Sequence, residues 1–219
     1  MRKVAVTGAS GHVGGVLLRM LIDSGAQVRA LVLKDTRAIE GSGAETVQGD
    51  ILDPDALRKL TKGCDTVFHL AAFISLSRRD NKKLEEINIT GTRNIVDACR
   101  ESGVEKFVHM SSIHALSPPP NHVIADESLP LSCKSSSLYY DYTKAEAERI
   151  VLGAAARGLP AVIVNPTTII GPYDYKVSRL GRFFLSLFNN RLAALVDGGF
   201  NWVDVRDAAR GDIFAAEKG

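Results

Sequence analysis

Residues 3–15 read KVAVTGASGHVGG, a β-branched run that breaks into glycines at 8, 11, 14 and 15 before the apolar-periodic stretch VGGVLLRMLIDSG takes over. Gly8, Gly11 and Gly14 let the chain turn tightly, let backbone N–H groups approach a pyrophosphate, and let the next helix lie close to the sheet. The N-terminus of that helix then favours the anion. Ser10, His12 and Val13 belong to the same loop and are counted with it as cofactor-binding. Glycine spacing alone also suits a turn in another α/β fold, but a strand before and a helix after make this a dinucleotide-binding βαβ unit.

The alternation continues outward. QVRALVL (27–33), TVFHLAA (66–72), KFVHMS (106–111) and AVIVNP (161–166) are apolar runs of strand length, separated by helical patterns. Strands spaced this way predict right-handed crossovers and an α/β, Rossmann-type doubly wound parallel sheet with helices on both faces. Asp53 followed by Pro54 opens one helix as an N-cap with proline at the first helical position, and Gly25 and Gly103 stop two others. We divide the chain into a dinucleotide-binding domain at 1–170, a partial C-terminal substrate lobe at 171–202, and a helix returning to the first domain at 203–219. The stretch from Ser117 to Ser137, with Pro118, Pro119, Pro120 and Pro130, exceeds ordinary connection lengths, and is a functional lid or a disordered segment.

Composition narrows the classes. With 219 residues and 45% hydrophobic content the chain can bury a sizeable core. Its 27 basic and 25 acidic side chains leave a net charge of +2 without a long basic run, so nucleic acid is not an expected partner. Cys64, Cys99 and Cys133 are widely spaced and read as reduced thiols in a cytoplasmic protein. His12, His69, His109, His114 and His122 show no ligand spacing, and no metal is expected. Nor does any apolar run reach the length of a membrane span.

Chemistry is most visible in LYYDYTKAEAERIV (138–151). Tyr140 and Lys144 stand four apart, on one helix face, where an ammonium favours the phenolate and should lower the phenol pKa. The spacing on its own is more often that of an amphipathic surface pair.

With the glycines arranged as TGxxGxxG, the chain resembles the extended branch of the short-chain dehydrogenase/reductase family, close to dihydroflavonol-reductase-like and NAD-dependent epimerase/dehydratase-like proteins. The resemblance assigns further residues. Asp50 in GDILD, with Ile51, meets the adenine; Leu70, Ala71 and Ala72 pass under the cofactor. Asn88 in INITGTRN helps hold a proton-relay water. Ser112, preferred over Ser111, and Tyr140 and Lys144 form the catalytic set. Asn165, Pro166 and Thr168 lie near the nicotinamide carboxamide. The resemblance implies hydride transfer between a nicotinamide and a carbonyl or alcohol carbon, with a small-molecule carbonyl compound as substrate and a homodimer as a possible assembly.

Cofactor choice turns on the end of the second strand, where an acid favours the ribose 2′-OH and basic groups favour a 2′-phosphate. Val32 takes the usual acid position, and Lys34 and Arg37 follow, so NADP(H) is favoured over NAD(H), with Asp35 opposing. Ser112 is followed by Ile113 and His114 rather than the acidic pair of sugar-nucleotide dehydratases, which disfavours dehydration. Epimerisation of a nucleotide sugar needs the same three residues and stays open. A non-catalytic NADP-binding regulator also stays open, although retention of Ser112, Tyr140 and Lys144 favours an enzyme. Family members normally continue well past this length, so a truncated or short member is expected.

Overall fold

The structure, a computed structural model, describes residues 1–120, 123–135, 138–191, 194 and 197–219. Strands β1 (Lys3–Thr7), β2 (Gln27–Val32), β3 (Glu45–Gln48), β4 (Thr66–His69), β5 (Lys106–Met110) and β6 (Ala161–Val164) form one sheet in the order β3-β2-β1-β4-β5-β6. Every pairing within it is parallel. β1 therefore has β2 on one side and β4 on the other. The chain reverses direction across the sheet at that point, which opens a crevice at the carboxyl ends of β1 and β4.

Strand alternation sends successive side chains to opposite faces. Val4 and Val6 of β1, Phe68 of β4 and Val108 of β5 pack with Leu17, Leu18 and Leu21 of α1 (His12–Asp23) and with Val205 and Ala209 of α7 (Val205–Lys218). On the other face Ala5, Val67 and Phe107 meet Leu57 and Leu60 of α2 (Pro54–Thr61), Ile95 of α4 (Gly91–Ser102) and Val151 of α5 (Tyr139–Ala155). Each fully buried leucine contributes about 2 kcal/mol by removing apolar surface from water. The punctuation is local chemistry. Asp53 accepts from the N–H groups of Asp55 at 2.9 Å and Ala56 at 3.3 Å, and Gly103 closes α4 at φ 64°.

The long helical pattern is interrupted. Between α3 (Asn81–Leu84) and α4 lies a π-helical turn, Glu85–Thr90, with Asn88 buried within it. β7 (Thr168–Ile170) and β8 (Trp202–Asp204) pair in a separate two-stranded sheet, flanking α6 (Arg179–Phe188). Of the 117–137 stretch, 121–122 and 136–137 lie outside the described residues, and so does His122. Its base is tied: Ser117 N–H donates to Pro130 at 2.8 Å, and Ser132 N–H donates to Ala115 at 2.8 Å. No helix among the described residues is long and apolar enough to cross a membrane.

Candidate active site

The glycine loop joins β1 to α1 at the crevice. Gly8 has φ +72°, and a Cβ there would lie 2.6 Å from the Ala71 nitrogen, so the loop and the segment after β4 touch backbone to backbone. A Cβ on Gly14 would overlap the Gly8 carbonyl. Gly11 caps α1 without any side-chain cap, which leaves the first N–H groups of the helix, from His12 and Val13 onward, open to an anion. The loop is therefore shaped for a pyrophosphate, and the residues present fit a dinucleotide. The His12 ring is turned aside, with Nε2 2.8 Å from the Pro172 carbonyl, tying the loop to the segment that precedes α6.

Around the loop the predicted residues divide. Leu70 and Ala71 approach Thr7, through its carbonyl at 3.2 Å and its hydroxyl at 3.3 Å, and Ala72 is exposed beyond them. Asp50 is half-buried, and its carboxylate accepts from Leu52 N–H at 2.9 Å. Ile51 is buried against Gly91 at the head of α4. β2 ends at the buried Val32; Lys34 is exposed, whereas Arg37 is forked onto Asp35 at 3.0 and 2.8 Å. The Arg37 guanidinium holds the Asp35 carboxyl well below the usual range, and Lys176, unsuspected from the sequence, adds to that field.

Ser112, Tyr140 and Lys144 meet at the carboxyl end of β5. Tyr140 and Lys144 are buried, at 8% and 2% exposure, on the face of α5 toward the sheet, and Ser112 is the polar side chain that favours the Tyr140 phenolate. Lys144 Nζ donates to the Met110 carbonyl at 3.0 Å. One expectation is reversed. The Tyr140 phenol is pushed up to about 12, because burial penalises the phenolate more than Ser112 stabilises it. Lys144, itself brought down to about 8 by burial, does not overcome that penalty. His114 flanks the pair: its ring meets the Tyr140 ring edge-on at 6.0 Å, and Nδ1 lies 3.2 Å from Asp141.

Asn88 joins the π-turn to this site. Its Oδ1 accepts from Phe73 N–H at 2.8 Å, and its Nδ2 donates to the Phe73 carbonyl at 3.0 Å and to Thr143 Oγ1 at 3.1 Å. Thr143 in turn donates to the Tyr140 carbonyl at 2.8 Å. A second chain reaches Asn88 from β1. Thr92 Oγ1 donates to the Asn88 carbonyl at 2.7 Å, so its oxygen accepts from His69 Nε2 at 3.0 Å. His69 Nδ1 is then the acceptor for the Thr7 hydroxyl at 2.7 Å. Burial keeps His69 neutral by lowering its pKa to about 3.

On the far side, Asn165 Nδ2 donates to the Ser112 carbonyl at 3.1 Å and to Glu148 Oε1 at 2.5 Å. The Pro166 carbonyl accepts from Ile113 N–H at 3.0 Å, and Thr168 enters β7. The sequence signal for Glu148 is its spacing, four residues after Lys144 on α5. His69, Thr92 and Thr143 carried no such signal. Among the described residues no group of three or more His, Cys, Asp or Glu is placed to hold a metal.

Residues 4–219 match the model of the NAD dependent epimerase/dehydratase family. The chain belongs to that family. Sterol demethylase protein B of Methylococcus capsulatus is 36% identical over 98% of this chain and 66% of its own length. A putative dihydroflavonol 4-reductase of Synechocystis is 38% identical over 98% of the chain and 63% of its own. The crystal structure of gox2253 superposes with TM-score 0.92 at 38% identity, covering all of this chain and 67% of the other. The chain thus spans about two thirds of the length of these family members.

Proposed function

We propose that this member of the NAD-dependent family is a carbonyl reductase, dihydroflavonol-reductase-like, that interconverts a ketone or aldehyde with the alcohol. A bound nicotinamide dinucleotide would supply or receive the hydride. Tyr140 gives its phenolic proton to the oxygen of the substrate as the alkoxide forms, or takes it back in oxidation. Ser112 donates a second hydrogen bond to that oxygen, worth most where charge develops. The ammonium of Lys144, one turn of α5 from the phenol, offsets the negative charge left on Tyr140 and would hold the ribose hydroxyls of the dinucleotide. Asn88 fixes the height of α5 against the loop after β4, and with it Tyr140. The 171–202 segment forms part of the substrate lobe.

The observation that carries this reading is the burial of Tyr140 beside Ser112, one turn of α5 from the buried Lys144. A phenol with its pKa pushed up to about 12 is protonated across the neutral range, the state a reductase needs. NADP(H) is favoured over NAD(H): a buried valine ends β2, Arg37 and Lys176 set positive charge against Asp35, and Lys34 is exposed beside them in the chain. Its fork with Asp35 leaves Arg37 only partly available.

Incubating the protein with NADPH or NADH and a panel of ketones and aldehydes tests the reading. Loss of reduced nicotinamide that depends on the carbonyl supports it. Interconversion of UDP-hexoses without carbonyl-dependent oxidation would instead favour an epimerase. Tight dinucleotide binding without either reaction would favour a regulator.

A further inference from the structure

Lys144 is an ammonium with 2% exposure, and among the described residues its one hydrogen bond is to a neutral carbonyl, that of Met110. A buried cation requires compensation by an opposite charge or it gives up its proton. The ionisable groups around it are few. His69 from β4 and His109 from β5 are both driven to the neutral form by burial and by Lys144 itself. Tyr140, on the same helix, is a neutral phenol. Glu85 of the π-turn is turned away to Tyr139 and Lys134, and His114 is paired with Asp141. Glu148 remains. It is 4% exposed, stands four residues after Lys144 on the same face of α5, and is immobilised by the 2.5 Å hydrogen bond from Asn165.

We infer that Glu148 is the buried counter-charge of Lys144, held at its place by Asn165, and that it keeps the lysine protonated beneath Tyr140. It is a positioning residue, since it acts on the reaction through Lys144. The two groups are not in direct contact: among the described residues no carboxylate lies within 4.0 Å of the ammonium. The coupling is a field effect across one buried turn of α5, over which side chains four residues apart are neighbours. Of the charges around Lys144, Glu148 is the one that opposes the depression caused by burial. The inference rests on the reading of Lys144 as an active-site cation. Its test does not require turnover.

The test is an NMR titration of the full chain labelled with 13C at lysine Cε, with the Lys144 signal assigned by its loss in Lys144→Arg. The wild-type midpoint is expected at about 8. Glu148→Gln keeps an oxygen to accept from Asn165 and removes only the charge, so the midpoint should fall by about one unit or more. A midpoint unchanged within about 0.3 units would overturn the inference. If Glu148→Gln does not fold, Lys144→Met in protein labelled at the glutamate carboxyl carbons reads the same coupling from the other side. Reciprocity requires the Glu148 midpoint to rise by a comparable amount, and no rise would equally overturn it. A protein that reduces no carbonyl but passes this titration would refute the proposed activity and leave the ion coupling standing.

Discussion

Asn88 Nδ2 donates to Thr143 Oγ1 at 3.1 Å, and this contact couples the π-turn to the helix that carries Tyr140. Its other amide hydrogen and its oxygen are committed to the backbone of Phe73. Replacing Asn88 with Ala strands the Phe73 N–H and C=O in a part-buried setting. We expect a loss of about 1–3 kcal/mol, read as a lower urea midpoint at unchanged m. An unchanged midpoint would show that water replaces the carboxamide without penalty.

Gly14 admits no side chain, since its Cβ would overlap the Gly8 carbonyl. Gly14→Ala should push α1 away from the loop, lowering stability by about 2 kcal/mol or more. Nicotinamide dinucleotide binding, followed by fluorescence titration, should weaken with it. Gly25→Ala is the control for backbone strain without a steric clash: Gly25 has φ +88° and no atom within 4 Å of its Cβ position, so it should lose stability but keep binding.

How much of this was legible beforehand follows from range in the chain. The glycine loop, the Asp53 cap and the Tyr140–Lys144 spacing are all local, and periodicity or turn chemistry exposes them. The Thr7–His69 contact joins residues 62 positions apart through β1 and β4, which only the sheet order makes neighbours, and Asn165–Glu148 joins residues 17 apart through the packing of α5 on β6. The direction of the Tyr140 pKa differs from the expectation for a related reason. Lysine proximity can be read from spacing, whereas the desolvation that outweighs it depends on the packing of α5 against β5 and β6.

Asp212 on α7 is fully buried, neither of its carboxylate oxygens has a partner among the described residues, and burial raises its pKa to about 7. In the unfolded chain an aspartate titrates at about 3.9. Between those values the folded protein holds a proton that the unfolded chain has lost, so stability falls as pH rises from about 4 to about 7. Asp212→Asn should flatten that decline, gaining about 2 kcal/mol relative to wild type on going from about pH 5 to about pH 8. Parallel denaturation curves at the two pH values would contradict it.

The Asp35–Arg37 fork makes a prediction about the cofactor. Asp35→Asn loosens Arg37 and removes a negative charge, so NADPH should bind several-fold tighter while NADH changes little. Lys34→Ala should weaken NADPH about tenfold through the loss of a charge-assisted contact. Equal effects on both dinucleotides, measured by calorimetry, would place the 2′-phosphate elsewhere.

Lys144 should govern the pH dependence of carbonyl reduction. Its pKa lies at about 8 and the Tyr140 phenol at about 12. Below pH 8 the ammonium is charged and the phenol protonated, and the rate should be flat. As pH rises through about 8 the ammonium is lost first, and kcat/KM should fall while Tyr140 still carries its proton. A rate that holds until far more alkaline pH would assign the limb to Tyr140.

The most direct test of the central claim is Tyr140→Phe, assayed for NADPH oxidation in the presence of a carbonyl that the wild type reduces, alongside dinucleotide affinity. Loss of the phenolic proton should lower kcat/KM by about a hundredfold to ten-thousandfold while the Kd for NADPH changes less than about threefold. Retention of wild-type kcat/KM in Tyr140→Phe would contradict the account.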